Sequence, residues 1–286
     1  MPRGVPKNGK RKTQAAMARD ASLLTNFQTQ IPAIVESDEQ ILSRIGERFE
    51  MLDYLTDAAI KGDIKSAIFS GPPGLGKSFT VEQKLENVAN SSIVKGFSRA
   101  TGIYQSLYEM SNNGVLVFDD CDSVFGDDIA LNLLKSATDS SDKRIISWRA
   151  ETKMQTQDGD FLPTSFEFKG SVIFITNQDF DAHIDSGSRL APHFEALINR
   201  SFYLDLMLKT RRDYFLRIKQ MVDKGMLKER GNTIEQSNKI LGFLEKNMDK
   251  FRNGDLSLRT AVKLGNMIKV NKNWERVAST TMLKQR

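Results

Sequence analysis

The sequence has almost none of the residues from which disulfides and zinc centres are made. Cys121 is its single cysteine, and His183 and His193 are the only histidines among 286 residues. One cysteine excludes an intramolecular disulfide, and so few Cys and His residues cannot supply the ligands of a zinc site. Disulfide scaffolds and zinc proteins are therefore excluded as classes.

Long apolar runs are also missing. Stretches such as 115–118 and 172–175 are far shorter than the roughly 20 residues that a membrane-spanning helix needs. The first residues contain no apolar signal core. With 40% hydrophobic and 27% charged residues, the composition is that of an ordinary globular protein. We therefore expect a cytoplasmic protein, in the host cytoplasm if its source is viral, with no membrane partner.

The net charge of +5 is concentrated near the start of the chain. Residues 1–20 contain six basic residues and one acid, whereas basic and acidic residues are equal in number over the rest. Basic residues that approach DNA phosphates release condensed counterions, so such a segment suits a tether to nucleic acid. A solvated tail is an equally open alternative. The candidate phosphate contacts are Arg3, Lys7, Lys10, Arg11 and Lys12.

Short apolar strands alternate with helical patterns through the middle of the chain. The predicted strands are 66–70, 93–95, 115–119, 172–177 and 202–206. Apolar strands that alternate with helices indicate a buried parallel sheet with helices on both faces. From about residue 208 the pattern is wholly helical. We predict a basic, flexible arm over 1–36, an α/β core over 37–207 and a helical lid over 208–286.

A glycine-rich loop between a predicted strand and a predicted helix is the clearest sign of chemistry. It reads Gly71-Pro72-Pro73-Gly74-Leu75-Gly76-Lys77-Ser78 and is followed by Phe79. Glycines let such a loop fold around nucleotide phosphates with its N–H groups inward, and the helix adds its positive end. Lys77 would neutralise phosphate charge, and the Ser78 hydroxyl would ligate magnesium. Residues 71–79 therefore predict a site for ATP and Mg²⁺.

Two carboxylates follow the apolar run 115–118. Asp119 is the expected magnesium ligand, and Asp120 would polarise the attacking water. Glutamate is the usual residue for the second task, and the shorter aspartate changes the reach toward the γ-phosphate. Acids can also simply end a strand, but Asp122 makes a third acid within four residues. We therefore expect slow rather than absent hydrolysis.

The glycine-rich loop and the apolar run that ends in Asp119-Asp120 resemble the AAA+ family. The resemblance extends over residues 41–270 and implies a five-stranded parallel P-loop sheet of the ASCE/AAA+ type, with helices on both faces and a C-terminal all-helical lid. It implies that Asn177 orients the hydrolytic water and that Arg259 reaches the γ-phosphate from the lid. It also implies that Arg200 is an arginine finger acting in trans.

The interval between Asp120 and Asn177 is long enough for an insertion. Its β-rich segments 144–149 and 166–170, on either side of a polar turn, predict a hairpin. A hairpin at this place resembles compact phage-type AAA+ ATPases and the branch that includes superfamily 3 helicases, where it grips nucleic acid. Packing against a neighbouring subunit is an equally open alternative. The candidate contacts are Trp148, Arg149, Lys153 and Lys169.

The function that this resemblance implies is ATP hydrolysis, with Lys77, Asp120, Asn177 and Arg200 as the catalytic set. A finger in trans requires an oligomer, and a ring of six subunits is expected. Our leading hypothesis is ATP-driven work on DNA during replication, recombination or packaging. An ATP-driven protein remodeller and a slow nucleotide-dependent assembly switch are the alternatives. Phe97, in a loop after the second strand, would suit contact with a threaded polymer, and a core position is an equally open alternative.

Overall fold

The computed structural model describes residues 36–150, 154–155, 159–252 and 254–284. The chain divides into two units, Met1–Ser37 and Asp38–Arg286, and every described helix and strand lies in the second. The basic arm, including Arg3, Lys7, Lys10, Arg11 and Lys12, and the hairpin residue Lys153 lie outside the described residues.

The main sheet is parallel and has the strand order β2-β3-β6-β1-β7. Its strands are β1 (Ser66–Ser70), β2 (Ser91–Lys95), β3 (Val115–Asp119), β6 (Ser171–Thr176) and β7 (Phe202–Asp205), and a separate antiparallel pair is formed by β4 (Ile145–Ser147) and β5 (Ser165–Glu167). The predicted five-stranded parallel sheet and the predicted hairpin are both confirmed.

The helices of the described residues divide between the two sides of the sheet. They are α1 (Asp38–Lys61), α2 (Lys77–Leu85), α3 (Ala100–Glu109), α4 (Asp128–Ala137), α5 (Phe180–Asp185), α6 (Ala191–Ile198), α7 (Arg211–Asp223), α8 (Ile234–Asn247), α9 (Leu258–Val270) and α10 (Trp274–Met282). Short 3-10 helices cover Asp122–Gly126 and Met248–Lys250.

The core forms two apolar clusters because successive strand residues point to opposite faces of the sheet. In β1, Ala67 and Phe69 join the cluster that contains α1, α2 and α7 to α10, whereas Ile68 joins the cluster with α3 to α6. The helices after β7 thus share a core with α1 and α2. The proposed lid boundary at 207/208 falls between β7 and α7 and stays a prediction.

The first helix, α1, shows how the sequence specifies this arrangement. Its buried residues Ile41, Ile45, Phe49, Leu52 and Leu55 recur every three or four positions, which gives one apolar stripe along the helix. Asp38 and Glu39 lie in its first turn, where carboxylates stabilise the positive helix end. The stripe holds α1 against the sheet face on which α2 and α7 also pack.

The base of the hairpin is held by Arg144, a buried arginine that is 6% exposed. Its guanidinium donates to the carbonyl of Ala137 at 2.6 Å and to that of Gly170 at 2.8 Å. It also lies over the Phe168 ring, 5.0 Å from the centroid. Arg144 therefore joins the end of α4 to both strands of the hairpin.

Replacing Arg144 by alanine should lower the free energy of unfolding by about 3 kcal/mol, because two buried carbonyls lose a charged donor. Arg149→Ala is the matched control, since Arg149 belongs to the same hairpin and is exposed. Urea denaturation of both variants measures the difference. Equal midpoints for the two would contradict the anchoring role of Arg144.

Candidate active site

The loop after β1 has the backbone that phosphate binding requires. Gly74 and Gly76 adopt left-handed conformations with φ of +75° and +100°. Helix α2 begins at Lys77, and no side chain caps its amino end. The first N–H groups of an uncapped helix have no intrahelical acceptor and, with the helix dipole, favour an anion. The loop and helix can therefore hold a phosphate chain.

The start of α9 sits directly on this loop. A Cβ added to Gly74 would lie 2.8 Å from Cβ of Ser257, and one added to Gly76 would lie 3.3 Å from Cδ1 of Leu258. The backbone N–H of Leu258 donates to the carbonyl of Gly74 at 2.9 Å. Glycine is thus required at position 74 both by its φ and by contact with the C-terminal helices.

Lys77 has a cationic side chain, yet the residue is buried, with 5% exposure. Its ammonium donates to the carbonyls of Gly71 and Pro72 and, at 3.2 Å, to Oδ1 of Asn177. Burial lowers the pKa of Lys77 to about 8, against the opposing effect of Asp120. A buried cation held by neutral oxygens is suited to binding an anionic phosphate.

Ser78 and Asp119 meet beside Lys77. The Ser78 hydroxyl donates to Oδ1 of Asp119 at 2.8 Å, and burial raises the pKa of Asp119 above its usual value. Oxygen ligands of this kind fit Mg²⁺, which keeps several waters and shares the phosphates of its nucleotide. Among the described residues no group of three or more His, Cys, Asp or Glu side chains forms a metal cage. This pair is therefore the candidate magnesium site.

Asp120 has a backbone conformation that is unusual outside glycine, with φ of +52°. Left-handed backbone costs roughly 1–2 kcal/mol in most L residues, although aspartate and asparagine tolerate it better. The Asp120 N–H donates to the carbonyl of Ile175 at 3.0 Å, and its exposed carboxylate accepts from Nδ2 of Asn177 at 2.7 Å. Asn177 thus joins Lys77 to Asp120, at the end of β6 as its sequence position predicts.

Arg200 lies beside the amino-terminal end of β1. Ser66, the first residue of β1, donates its hydroxyl to the Arg200 carbonyl at 3.0 Å, whereas the phosphate loop follows Ser70 at the other end. The five residues of β1 separate its two ends by about 13 Å. The Arg200 side chain is 34% exposed and lies 3.8 Å from Asp139. It is therefore remote from the phosphate loop of its own subunit.

The remaining predicted nucleotide contacts lie around the loop. Arg259 is exposed at the start of α9, and its charge contributes to lowering the pKa of Lys77, after the larger effect of burial. Phe79 is 53% exposed in the first turn of α2. Both side chains are open to a ligand at the loop, and their roles stay predictions.

Arg217 belongs to this region although its position in the sequence did not point to it. It is 4% exposed, and its guanidinium carbon lies 3.4 Å from the Phe49 ring centroid. It donates to the carbonyl of Leu75 at 3.4 Å, and burial lowers its pKa to about 10. The one sequence signal was an arginine inside the apolar run 214–218, which indicates burial but not the partner. Arg217 ties α7 to the phosphate loop.

The predicted polymer contacts in the hairpin divide into two groups. Arg149 and Lys169 are exposed, and Lys169 pairs with Glu167 at 3.6 Å. Trp148 instead packs inward, with its ring 5.8 Å from that of Tyr104, and its indole nitrogen is buried. Trp148 as a whole is half-buried, and its role as a nucleic-acid contact stays a prediction.

Two other aromatic residues are largely exposed. Phe97, in the loop before α3, is 73% exposed. Phe161, in the segment between β4 and β5, is 65% exposed. Phe161 forms an isolated antiparallel bridge with Gln155. The sequence left Phe97 open between an exposed loop position and the core, and the structure exposes it. Phe161 was not singled out, because nothing in the local pattern distinguishes it from a core phenylalanine.

Sequence comparison finds a phage relative. The chain is 36% identical over 258 residues to an uncharacterized 36.7 kDa protein in the nrdC-mobD intergenic region of Enterobacteria phage T4, covering 87% of this chain and 78% of that protein. No family model matches the chain.

Among solved structures, NtrX from Brucella abortus in complex with ADP has a TM-score of 0.44 and 14% identity, covering 94% of this chain and 55% of its own. A point mutant of RuvB from Thermotoga maritima has a TM-score of 0.45 and 16% identity, covering 83% of this chain and 68% of its own. This chain thus spans about half the length of NtrX. In the part of the chain that the structure describes, no helix has the length and apolar character for crossing a membrane.

Lys77→Ala should abolish ATP binding, because the substitution removes the buried ammonium at the loop. Lys84→Ala, in the same helix α2, is the control, since Lys84 pairs with Asp57 at 2.9 Å, away from the loop. Isothermal titration with ATP and magnesium measures both affinities. Wild-type affinity in Lys77→Ala would remove the phosphate-binding assignment.

Proposed function

We propose that this chain, which belongs to the same protein family as its phage T4 relative, is an AAA+ P-loop protein that hydrolyses ATP. The hydrolysis drives work on DNA by an oligomeric ring, with six subunits as the expected number. ATP and Mg²⁺ are its cofactors.

The hydrogen-bonded line from Lys77 through Asn177 to Asp120 carries the proposal. Its ends are an ammonium that binds phosphate oxygens and a carboxylate that accepts a proton from water. Asn177, between them, orients the attacking water. Magnesium, when bound by Ser78 and Asp119, neutralises charge on the phosphates.

Arg200 completes the site from a neighbouring subunit. Its position at the amino ends of β1 and β7 supports action only on the nucleotide of another copy. There the guanidinium stabilises charge that spreads over the transferring phosphoryl group. A head-to-tail contact of this kind uses two different surfaces of one subunit, and such contacts form a ring when the rotation between subunits closes and a helical filament when it does not.

A mixing experiment tests both roles. Arg200→Ala should bind ATP and lose about 1,000-fold in turnover. Asp120→Asn should bind ATP and lose turnover without a change of backbone, because asparagine also tolerates left-handed φ. A mixture of the two should recover activity at about one quarter of randomly formed interfaces. ATPase assays of each variant, alone and mixed, measure this. Full activity of Arg200→Ala alone would exclude the finger.

DNA as the polymer is supported by charge and by exposed aromatic groups. The net charge of the whole chain resides in residues 1–20. Phe97 and Phe161 offer rings on which bases can stack without sequence preference. Arg149 and Lys169 add cations on the hairpin. These features together favour single-stranded DNA over a neutral polymer.

Replacing the six basic residues of 1–20 by glutamine in the full-length chain should weaken DNA binding and flatten its salt dependence. Six phosphate contacts contribute a log–log slope of about 4 on single-stranded DNA and about 5 on duplex DNA. Basal ATPase should persist, because the proposed catalytic groups lie elsewhere. Fluorescence anisotropy over a salt series measures the slope. Identical slopes for variant and wild type would make the arm a solvated tail.

Protein remodelling is the second candidate, and Phe97 is the observation that favours it. An aromatic ring that is 73% exposed on a loop can also grip an unfolded polypeptide. The third candidate, a slow assembly switch, is motivated by aspartate in place of glutamate at position 120. Turnover of ATP far below the rate of subunit exchange would favour that third function.

A further inference from the structure

The proposed mechanism gives no role to Asp122. It lies two residues after Asp120, at the start of the 3-10 helix Asp122–Gly126. Its Oδ1 accepts a hydrogen bond from the hydroxyl of Thr176 at 2.6 Å, and its Oδ2 accepts from Nε2 of Gln178 at 3.2 Å. Both carboxylate oxygens are therefore engaged by residues at the end of β6.

The partners of Asp122 are themselves fixed. Thr176 is 1% exposed, and its hydroxyl oxygen accepts from the backbone N–H of Gln178 at 3.0 Å. The Gln178 carbonyl accepts from the Ser70 hydroxyl at 2.7 Å, and its side-chain oxygen lies 3.0 Å from Nε2 of His183. The carboxylate is thus attached to a framework that includes the last residue of β1.

The segment from Asp120 to Asp122 is hydrogen-bonded at both of its ends to residues at the end of β6. The Asp120 carboxylate contacts Asn177, and its N–H bonds to Ile175, while Asp122 is tied to Thr176 and Gln178. The left-handed backbone of Asp120 lies between these attachments. Such a conformation persists only where the surroundings determine it, and these contacts do so.

We propose that Asp122 is a positioning residue that sets the direction of the Asp120 carboxylate through its hydrogen bond with Thr176. This inference rests on the proposed function, in which Asp120 acts on water. Asp122 itself does not touch the water or the nucleotide. Loss of the Thr176 contact would let the segment rotate, so that the Asp120 carboxylate would point toward the attacking water less often.

The role of Asp122 differs from a general structural role in its kinetic effect. A positioning residue changes turnover while ATP binding, which depends on Lys77 and the loop, stays the same. A residue that only stabilises the fold lowers the melting temperature without a selective change in kcat. The effect of a positioning residue should also vanish once Asp120 can no longer act.

The first experiment uses single-residue variants of the full-length chain. Thr176→Val removes the donor, and Asp122→Ala removes the acceptor, and each should lower kcat by up to about 100-fold with little change in KM for ATP. Asp122→Asn and Thr176→Ser each keep a hydrogen bond between these two positions and should recover most of kcat. Steady-state ATPase assays and melting curves measure both effects. Wild-type kcat in Thr176→Val and Asp122→Ala would overturn the inference.

The second experiment separates this inference from the proposed function. Asp122→Ala added to Asp120→Asn should cause no further loss of single-turnover hydrolysis, because the positioned group is already absent. A further loss equal to that seen in the wild-type background would overturn the positioning role alone. Wild-type hydrolysis by Asp120→Asn would instead contradict the proposed function, and the inference with it.

Discussion

Parallel pairing of β1, β6 and β3 is the constraint on which the rest of the structure depends. In this register Ser70 lies opposite Thr176, and Asp119 lies opposite Ile175. The carboxyl-terminal ends of the three strands therefore lie side by side. The segments that follow them bring Lys77 and Asp120 each within hydrogen-bond distance of Asn177. Neither the lysine nor the carboxylate would be held in this way if one of these strands were antiparallel or shifted by a residue.

The same pairing places Arg200 beside the amino-terminal ends of β1 and β7, so its side chain and the phosphate loop of the same chain lie at opposite ends of the strands. The C-terminal helices add a second constraint, because Leu258 and Arg217 bond to carbonyls of the loop itself. A movement of these helices would break those bonds or move the loop with them. The C-terminal helices and the phosphate loop are thus linked through a few backbone groups.

The strands, the loop and the residues Asp119, Asp120 and Asn177 could be predicted from the sequence because their signals are local: an apolar run, glycines at fixed spacing, and polar residues at a strand end. The contacts of Arg217 and Asp122 could not. Their partners, Phe49 and Thr176, are far away in sequence, and only the fold brings them together. The packing of Trp148 on Tyr104 could not be predicted for the same reason, since it depends on how the hairpin folds back on α3.

The most direct test of the central claim is ATP turnover by the wild-type protein, measured alone and with single-stranded DNA, double-stranded DNA or an unfolded protein. The same assay of Asp120→Asn sets the background. An ATP hydrolase that works on DNA should turn over ATP above that background, and one form of DNA should stimulate it while the unfolded protein does not. Turnover equal to the background under every condition would contradict the account, and stimulation by the unfolded protein alone would contradict its assignment to DNA.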